Sequence, residues 1–174
     1  MIKNSTATEQ MIKYTEFCIK KKLPKSFKTF LKYFSNGIFL FDIEPILGVG
    51  NNYKDTPCGI VRLSSEILPF DKPCYIVSED RFVNRKDLIA FTAGSAQYMS
   101  LDHWVFFTNS EPLDHEYKVG YISQSSGNIV VLLDNFEEWL NILWVNNKDE
   151  DTLLSVFHAL YPDTEQRDLV LQIY

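Results

Sequence analysis

The sequence predicts an α+β domain, with helices packed on a mostly antiparallel sheet. Three observations predict it. Amphipathic helical patterns open the chain, seven β-branched or aromatic runs fill its middle, and helical patterns return at the end. The 174 residues suit one domain, and a 14% aromatic content supplies large rings for its core.

The elements follow in order. Thr6 and Glu9 have the S/T-x-x-E spacing of a capping box. Ala7, Met11, Tyr14 and Cys18 then fall on one helical stripe, and the spacing predicts a helix over 7–21. Lys20, Lys21 and Lys22 stand in its last turn, where cations suit the negative end of the helix dipole. The same three lysines are also a weak nucleic-acid or localisation signal. In LPKSFKTFLKYFSNG (23–37), Pro24 fits a first helical turn, where its missing N–H costs nothing. Phe27, Phe30, Leu31 and Phe34 repeat as one apolar face, with Lys25, Lys28 and Lys32 away from it. Asn36-Gly37 tolerates positive φ and ends the helix.

IFLFDI (38–43), GIVRL (59–63), CYIVSE (74–79), DLIAFTA (87–93), HWVFFT (103–108), YKVGYIS (117–123) and NIVVLL (128–133) read as strands. The last two form a hairpin with Gly127 at its turn. EPILGVGNNYKDTPC, between Ile43 and Gly59, reads as a loop with one short strand. Asp134 can cap a helix with Glu137 three residues on, and Phe136, Trp139, Leu140, Leu143 and Trp144 form its apolar face. Asp151 can cap another, with Leu153, Val156, Phe157 and Leu160 inward and Pro162 ending it. DLVLQIY (168–174) fits helix or strand.

Charge is unevenly distributed. Residues 1–35 hold eight Lys against two Glu, a balance of +6; the rest holds nine basic and 21 acidic residues, a balance of −12. From Leu132 to Tyr174 the balance is −7. An acidic body repels nucleic-acid phosphates and attracts a basic protein partner, although a solvated acidic surface also serves solubility. Cys18, Cys58 and Cys74 form no C-x-x-C pair, which fits a reducing compartment. MIKNSTATEQ has no apolar signal region, and no apolar run approaches a membrane span; the expectation is a soluble, cytoplasmic protein without a membrane partner.

Chemical constellations are weak. Asp102-His103 and Asp114-His115 are sequence neighbours, and strand neighbours point to opposite faces, so neither suits a dyad. No Ser lies in a G-x-S-x-G elbow. The His and Cys residues lack zinc spacing, and Gly48-Val49-Gly50 lacks the rest of a phosphate loop. Trp104, Trp139 and Trp144 suit core packing better than a nucleobase platform, which needs exposed rings on a basic groove. The reading is therefore no catalytic residue, no metal, no cofactor and no nucleic acid. TNSEPLDHEYK (108–118) is more suggestive. It places Glu111, Asp114 and Glu116 on a loop between two strands, where binding residues tend to sit, although a solvated hairpin loop explains them equally. Asp134, Glu137 and Glu138 offer a second acidic candidate.

The order of these segments resembles a known family. Leu23, Pro24, Phe27, Phe30, Leu31 and Gly37 resemble the signature of the SUKH superfamily, which includes fungal cell-wall-synthesis regulators and many bacterial immunity proteins. ILGVG (46–50) resembles the strand and glycine turn after its second helix. Arg62 and Leu68-Pro69 resemble a later R…LP element, YIV (75–77) the strand behind it, and FEEWLNIL (136–143) the terminal helix. The resemblance runs from about Thr6 to Trp144. RFVNRKDLIAF (81–91) lacks a Gly-Asp-rich turn that many relatives carry, and residues 145–174 extend past the usual end. The resemblance implies one SUKH-like domain over 1–174, with a core over 6–144, a helical extension over 145–174 and a curved sheet of about six strands. It implies a binding module rather than an enzyme. The first expectation is an immunity protein that occludes one cognate toxin, a basic-surfaced nuclease in many cases. An intracellular regulatory scaffold, as in the fungal branch, ranks second, and a small-molecule enzyme third.

Overall fold

The computed structural model describes residues 2–39, 46–50, 59–66, 73–92, 103–109, 115–122 and 126–146. The chain divides into two compact units, Met1–Phe136 and Glu137–Tyr174. Among the described residues the first holds a curled, mixed six-stranded sheet, a two-stranded sheet and three α-helices.

The helical front begins with α1, Glu9–Ile19. It starts later than the capping-box spacing predicts, and its N-cap is Thr8, whose side chain accepts a hydrogen bond from the Met11 N–H at 3.2 Å. The cause is tertiary. The Ala7 N–H donates to the Leu31 carbonyl at 2.8 Å, which holds Ala7 outside the helix. The inward residues are Ile12, Thr15 and Glu16. The predicted Ala7–Met11–Tyr14–Cys18 stripe is not the packed face, and Tyr14 is 44% exposed. The helix ends at Lys20, left-handed at φ 55°.

α2, Lys25–Tyr33, follows the sequence reading closely. Phe27, Phe30 and Leu31 are buried and Pro24 stands at the N-cap, whereas Phe34, the last residue of the predicted face, is the C-cap and 41% exposed. Gly37 adopts φ 92°, the left-handed conformation that suits a residue without Cβ. Just before it, Asn36 pairs with a neighbouring segment as though it were backbone. Its Nδ2 donates to the Val49 carbonyl at 2.9 Å, and its Oδ1 accepts from the Val49 N–H at 2.7 Å. The approach is close enough that a Cβ on Gly48 would lie 2.6 Å from the Asn36 carbonyl oxygen.

β1, Ile2–Lys3, pairs antiparallel with β2, Ile38–Phe39. Ile46 bridges β2 at Ile38 on one side and Thr92 on the other, so backbone hydrogen bonding links this small sheet to the large one. Residues 40–43 of the first predicted strand lie outside the described residues. GIVRL, predicted as a strand, is instead part of helix α3, Gly59–Glu66. A short β-branched run does not reveal its period. Here Ile60 and Ser64, one helical turn apart, are both buried, and the Ser64 hydroxyl accepts from the Ala90 N–H at 3.2 Å. α3 packs against α1 and the main sheet.

The large sheet contains β3 (Cys74–Ile76), β4 (Arg81–Val83), β5 (Leu88–Ala90), β6 (His103–Phe107), β7 (Val119–Ile122) and β8 (Ile129–Leu133), in the order β4-β3-β8-β7-β6-β5. All neighbours are antiparallel except β3 and β8, which run parallel through Ile76 and Ile129. β4 was not foreseen. It forms a hairpin with β3 through a tight turn in which Asp80 takes φ 48°. β7 and β8 form the predicted hairpin, with Gly127 at φ 66°.

Phe27 centres the core. Its ring lies 5.2 Å from Phe106, 5.8 Å from Phe91 and 4.9 Å from Phe136, while Phe91 stacks on Phe106 at 4.2 Å. Such pairs contribute about 0.5–1.5 kcal/mol each beyond area burial. On the opposite sheet face Gly120 leaves room for Phe107, whose ring would meet a Cβ there at 2.6 Å. Phe136 opens α4, Phe136–Asn146, and the rest of that helix belongs to the second unit. The predicted helix from Asp151 and the DLVLQIY tail lie outside the described residues.

Candidate functional site

The six acidic residues singled out by sequence meet different fates. Glu111 and Asp114 lie outside the described residues. Glu116 faces inward to the helical front. Pro24 at the α2 N-cap offers no side-chain acceptor, so the first-turn N–H groups need one from elsewhere. Glu116 supplies it, accepting from the Ser26 N–H at 2.7 Å and from the Ser26 hydroxyl at 2.6 Å. Both its oxygens are thereby engaged within the fold. Asp134 is exposed just before α4, and Glu137 and Glu138 are exposed in its first turn, where carboxylates suit the positive end of the helix dipole.

Other constellations resolve into structure. His103 is buried, and its Nδ1 lies 3.2 Å from the Thr92 carbonyl. Burial pushes its pKa down to about 4, against the opposing pull of that hydrogen bond. Trp104 is buried beside Tyr121, and Trp139 is buried too, so neither ring offers a platform for bases. The Val49 and Gly50 N–H groups, which a phosphate loop would aim at its ligand, are taken by Asn36 and by the Thr15 hydroxyl. Cys74 is buried, and burial pushes its thiol pKa up. Among the described residues no group of three or more His, Cys, Asp or Glu could hold a metal, and no helix is long and apolar enough to cross a membrane.

The surface features that remain are aromatic and basic. Phe17 and Tyr33 are each 80% exposed, and Phe82 is 66% exposed. Phe82 sits on β4, an edge of the large sheet, 5.2 Å from Tyr75, whose hydroxyl donates to Asp80 at 2.6 Å. Beside β4, Glu79 accepts from Lys118 and Arg81, both at 2.6 Å.

An open cleft of about 370 Å³ lies along the end of α1, lined by Lys13, Glu16, Phe17, Lys20, Lys21 and Lys22. Burial would raise the Glu16 carboxyl, but hydrogen bonds from Lys22 and the Leu23 N–H, helped by Lys28, hold it below the ordinary carboxylate range. Lys21 donates to the Leu88 carbonyl at 3.2 Å; burial lowers its pKa while nearby Asp87 opposes that. Sequence reasoning missed this cleft because it took the packed stripe of α1 to be Ala7, Met11, Tyr14 and Cys18. With Ile12, Thr15 and Glu16 inward, Phe17 turns outward among the lysines. Compared with known protein families and with curated proteins, the chain matches none.

Proposed function

We propose that this protein is a cytoplasmic binding module that neutralises one bacterial toxin by covering its active cleft, with no turnover. The observation that supports the reading best is the set of large rings held in solvent. Phe17, Tyr33 and Phe82 stand on short regular elements of the fold, and such rings anchor protein interfaces. The exposed acids Asp134, Glu137 and Glu138 supply the negative charge that speeds association with a basic, phosphate-binding cleft such as that of a nuclease. The resemblance of Leu23–Gly37 to the SUKH signature points the same way.

The test is co-expression with the toxin domain encoded beside this gene. Cells are expected to survive, and the two proteins to co-purify at equal stoichiometry. Death at the rate seen without this chain overturns the reading for that pair.

A further inference from the structure

A second surface carries the opposite charge. We infer that the cleft along α1 binds an acidic segment of a partner polypeptide, with Lys13, Lys20 and Lys21 holding its carboxylates and Phe17 receiving an apolar side chain. This goes beyond the toxin reading and does not rest on it: the two share only the Phe17 ring, and the lysines that carry this inference play no part in the toxin reading.

The argument begins with which charges are already spent. Lys22 and Lys28 pair with Glu16, and Lys32 pairs with Glu9. Among the described residues no ion pair engages Lys13 or Lys20, and both are exposed; Glu9, one turn before Lys13 and felt by it, is already paired with Lys32. Lys21 is held at the cleft by its bond to the Leu88 carbonyl, with Asp87 nearby offsetting part of its charge. Glu16, the acid in the lining, is already neutralised by two lysines and the Leu23 N–H. The cleft is therefore positive despite a chain charge of −6.

Size and shape select the ligand class. Lys13 to Lys20 is two helical turns, roughly 10 Å, a span that three or four extended peptide residues cover. Within it stands one aromatic ring, 80% exposed. A single-stranded nucleic acid wants several stacking rings along a continuous basic groove. One ring between three ammonium groups suits instead a short run of Glu or Asp carrying one apolar residue. Charge complementarity of this kind sets association rate and partner choice.

The experiment is fluorescence anisotropy on the full chain. The probe is a labelled peptide of Glu-Glu-Leu repeats, compared with oligoglutamate and with oligothymidylate of the same length. The Glu-Glu-Leu peptide is expected to bind saturably, more weakly as salt rises, and ahead of both comparators. The double variant Lys13→Glu, Lys20→Asn is expected to weaken it about tenfold, with Asn tolerating the left-handed backbone at position 20. Phe17→Ser, at an exposed position, is expected to erase the preference over oligoglutamate. Arg81→Gln, on β4 at the sheet edge opposite β5, is the control and should change nothing. Should the double variant melt early, Phe17→Ser decides alone. The inference is overturned by absence of saturable binding, by unchanged binding in the variants, or by tighter binding of oligothymidylate, which would assign the cleft to single strands.

Discussion

Glu116 caps helix α2 from outside that helix, its carboxylate accepting both the Ser26 N–H and the Ser26 hydroxyl from 90 residues away in the chain. The arrangement couples the approach to β7 with the helical front. It also predicts which acidic residue serves folding and not recognition. Glu116→Ala should destabilise the protein by about 1–2 kcal/mol, the worth of a good N-cap. At this chain length, that lowers the melting temperature by roughly 5 °C. Once that loss is allowed for, affinity for the proposed toxin partner should be unchanged, whereas charge reversal at Asp134, Glu137 and Glu138 together should slow association. Calorimetry and stopped-flow binding separate the two.

Legibility in the sequence followed the locality of the signal. α2 was readable because Pro24, the Phe27–Phe30–Leu31 face and Gly37 all lie within one short segment. The β7–β8 hairpin was readable for the same reason. α3 was not, because Ile60 and Val61 look like strand residues; Ile60 and Ser64 are selected as a helical pair only by α1 and the Ala90 N–H behind them. The start of α1 was misjudged because its decisive bond, from Ala7 to Leu31, ties the segment before α1 to α2. The capping role of Glu116 is longer in range still. The cleft was hidden by the error in the packed face of α1.

Glu16 makes stability depend on acid. Its two oxygens accept from Lys22 at 2.9 Å and from the Leu23 N–H at 2.9 Å, in a site only 7% exposed. Its folded pKa lies below the ordinary value of 4.5. A depressed carboxylate adds stability in full above the ordinary value, and that stability drains away as pH falls through the folded value. Glu16→Gln should therefore lower the urea midpoint at neutral pH, and the gap to wild type should narrow as pH falls below 4.5 and vanish below the folded value. A gap that persists in acid would mean that packing, not charge, is what Gln removes.

His103 acts at a higher pH and through the opposite form. Its unfolded pKa is 6.5 and its folded value about 4, so the native state favours the neutral ring. The unfolded chain takes up the proton first as pH falls. Stability is thus flat above 6.5 and declines between 6.5 and about 4, by up to roughly 3 kcal/mol in total. In the folded protein the ring Cε1–H resonance should hold still from neutral pH down to about pH 5. A titration centred near the ordinary value would show that the ring reaches water.

Phe27 and Tyr33 lie on one short helix and should behave in opposite ways. Phe27 is fully buried among Phe91, Phe106 and Phe136, while Tyr33 is 80% exposed. Phe27→Ala removes the ring around which the aromatic core closes. It should cost about 3–5 kcal/mol, enough to unfold a marginal domain. Tyr33→Ala touches little within the fold and should change stability by less than about 0.5 kcal/mol. If the exposed rings are interface anchors, Tyr33→Ala should still weaken toxin binding by about tenfold or more, mainly through faster dissociation. Equal affinity in wild type and Tyr33→Ala, with the fold intact, would remove this ring from the proposed interface and leave Phe17 and Phe82 to carry it.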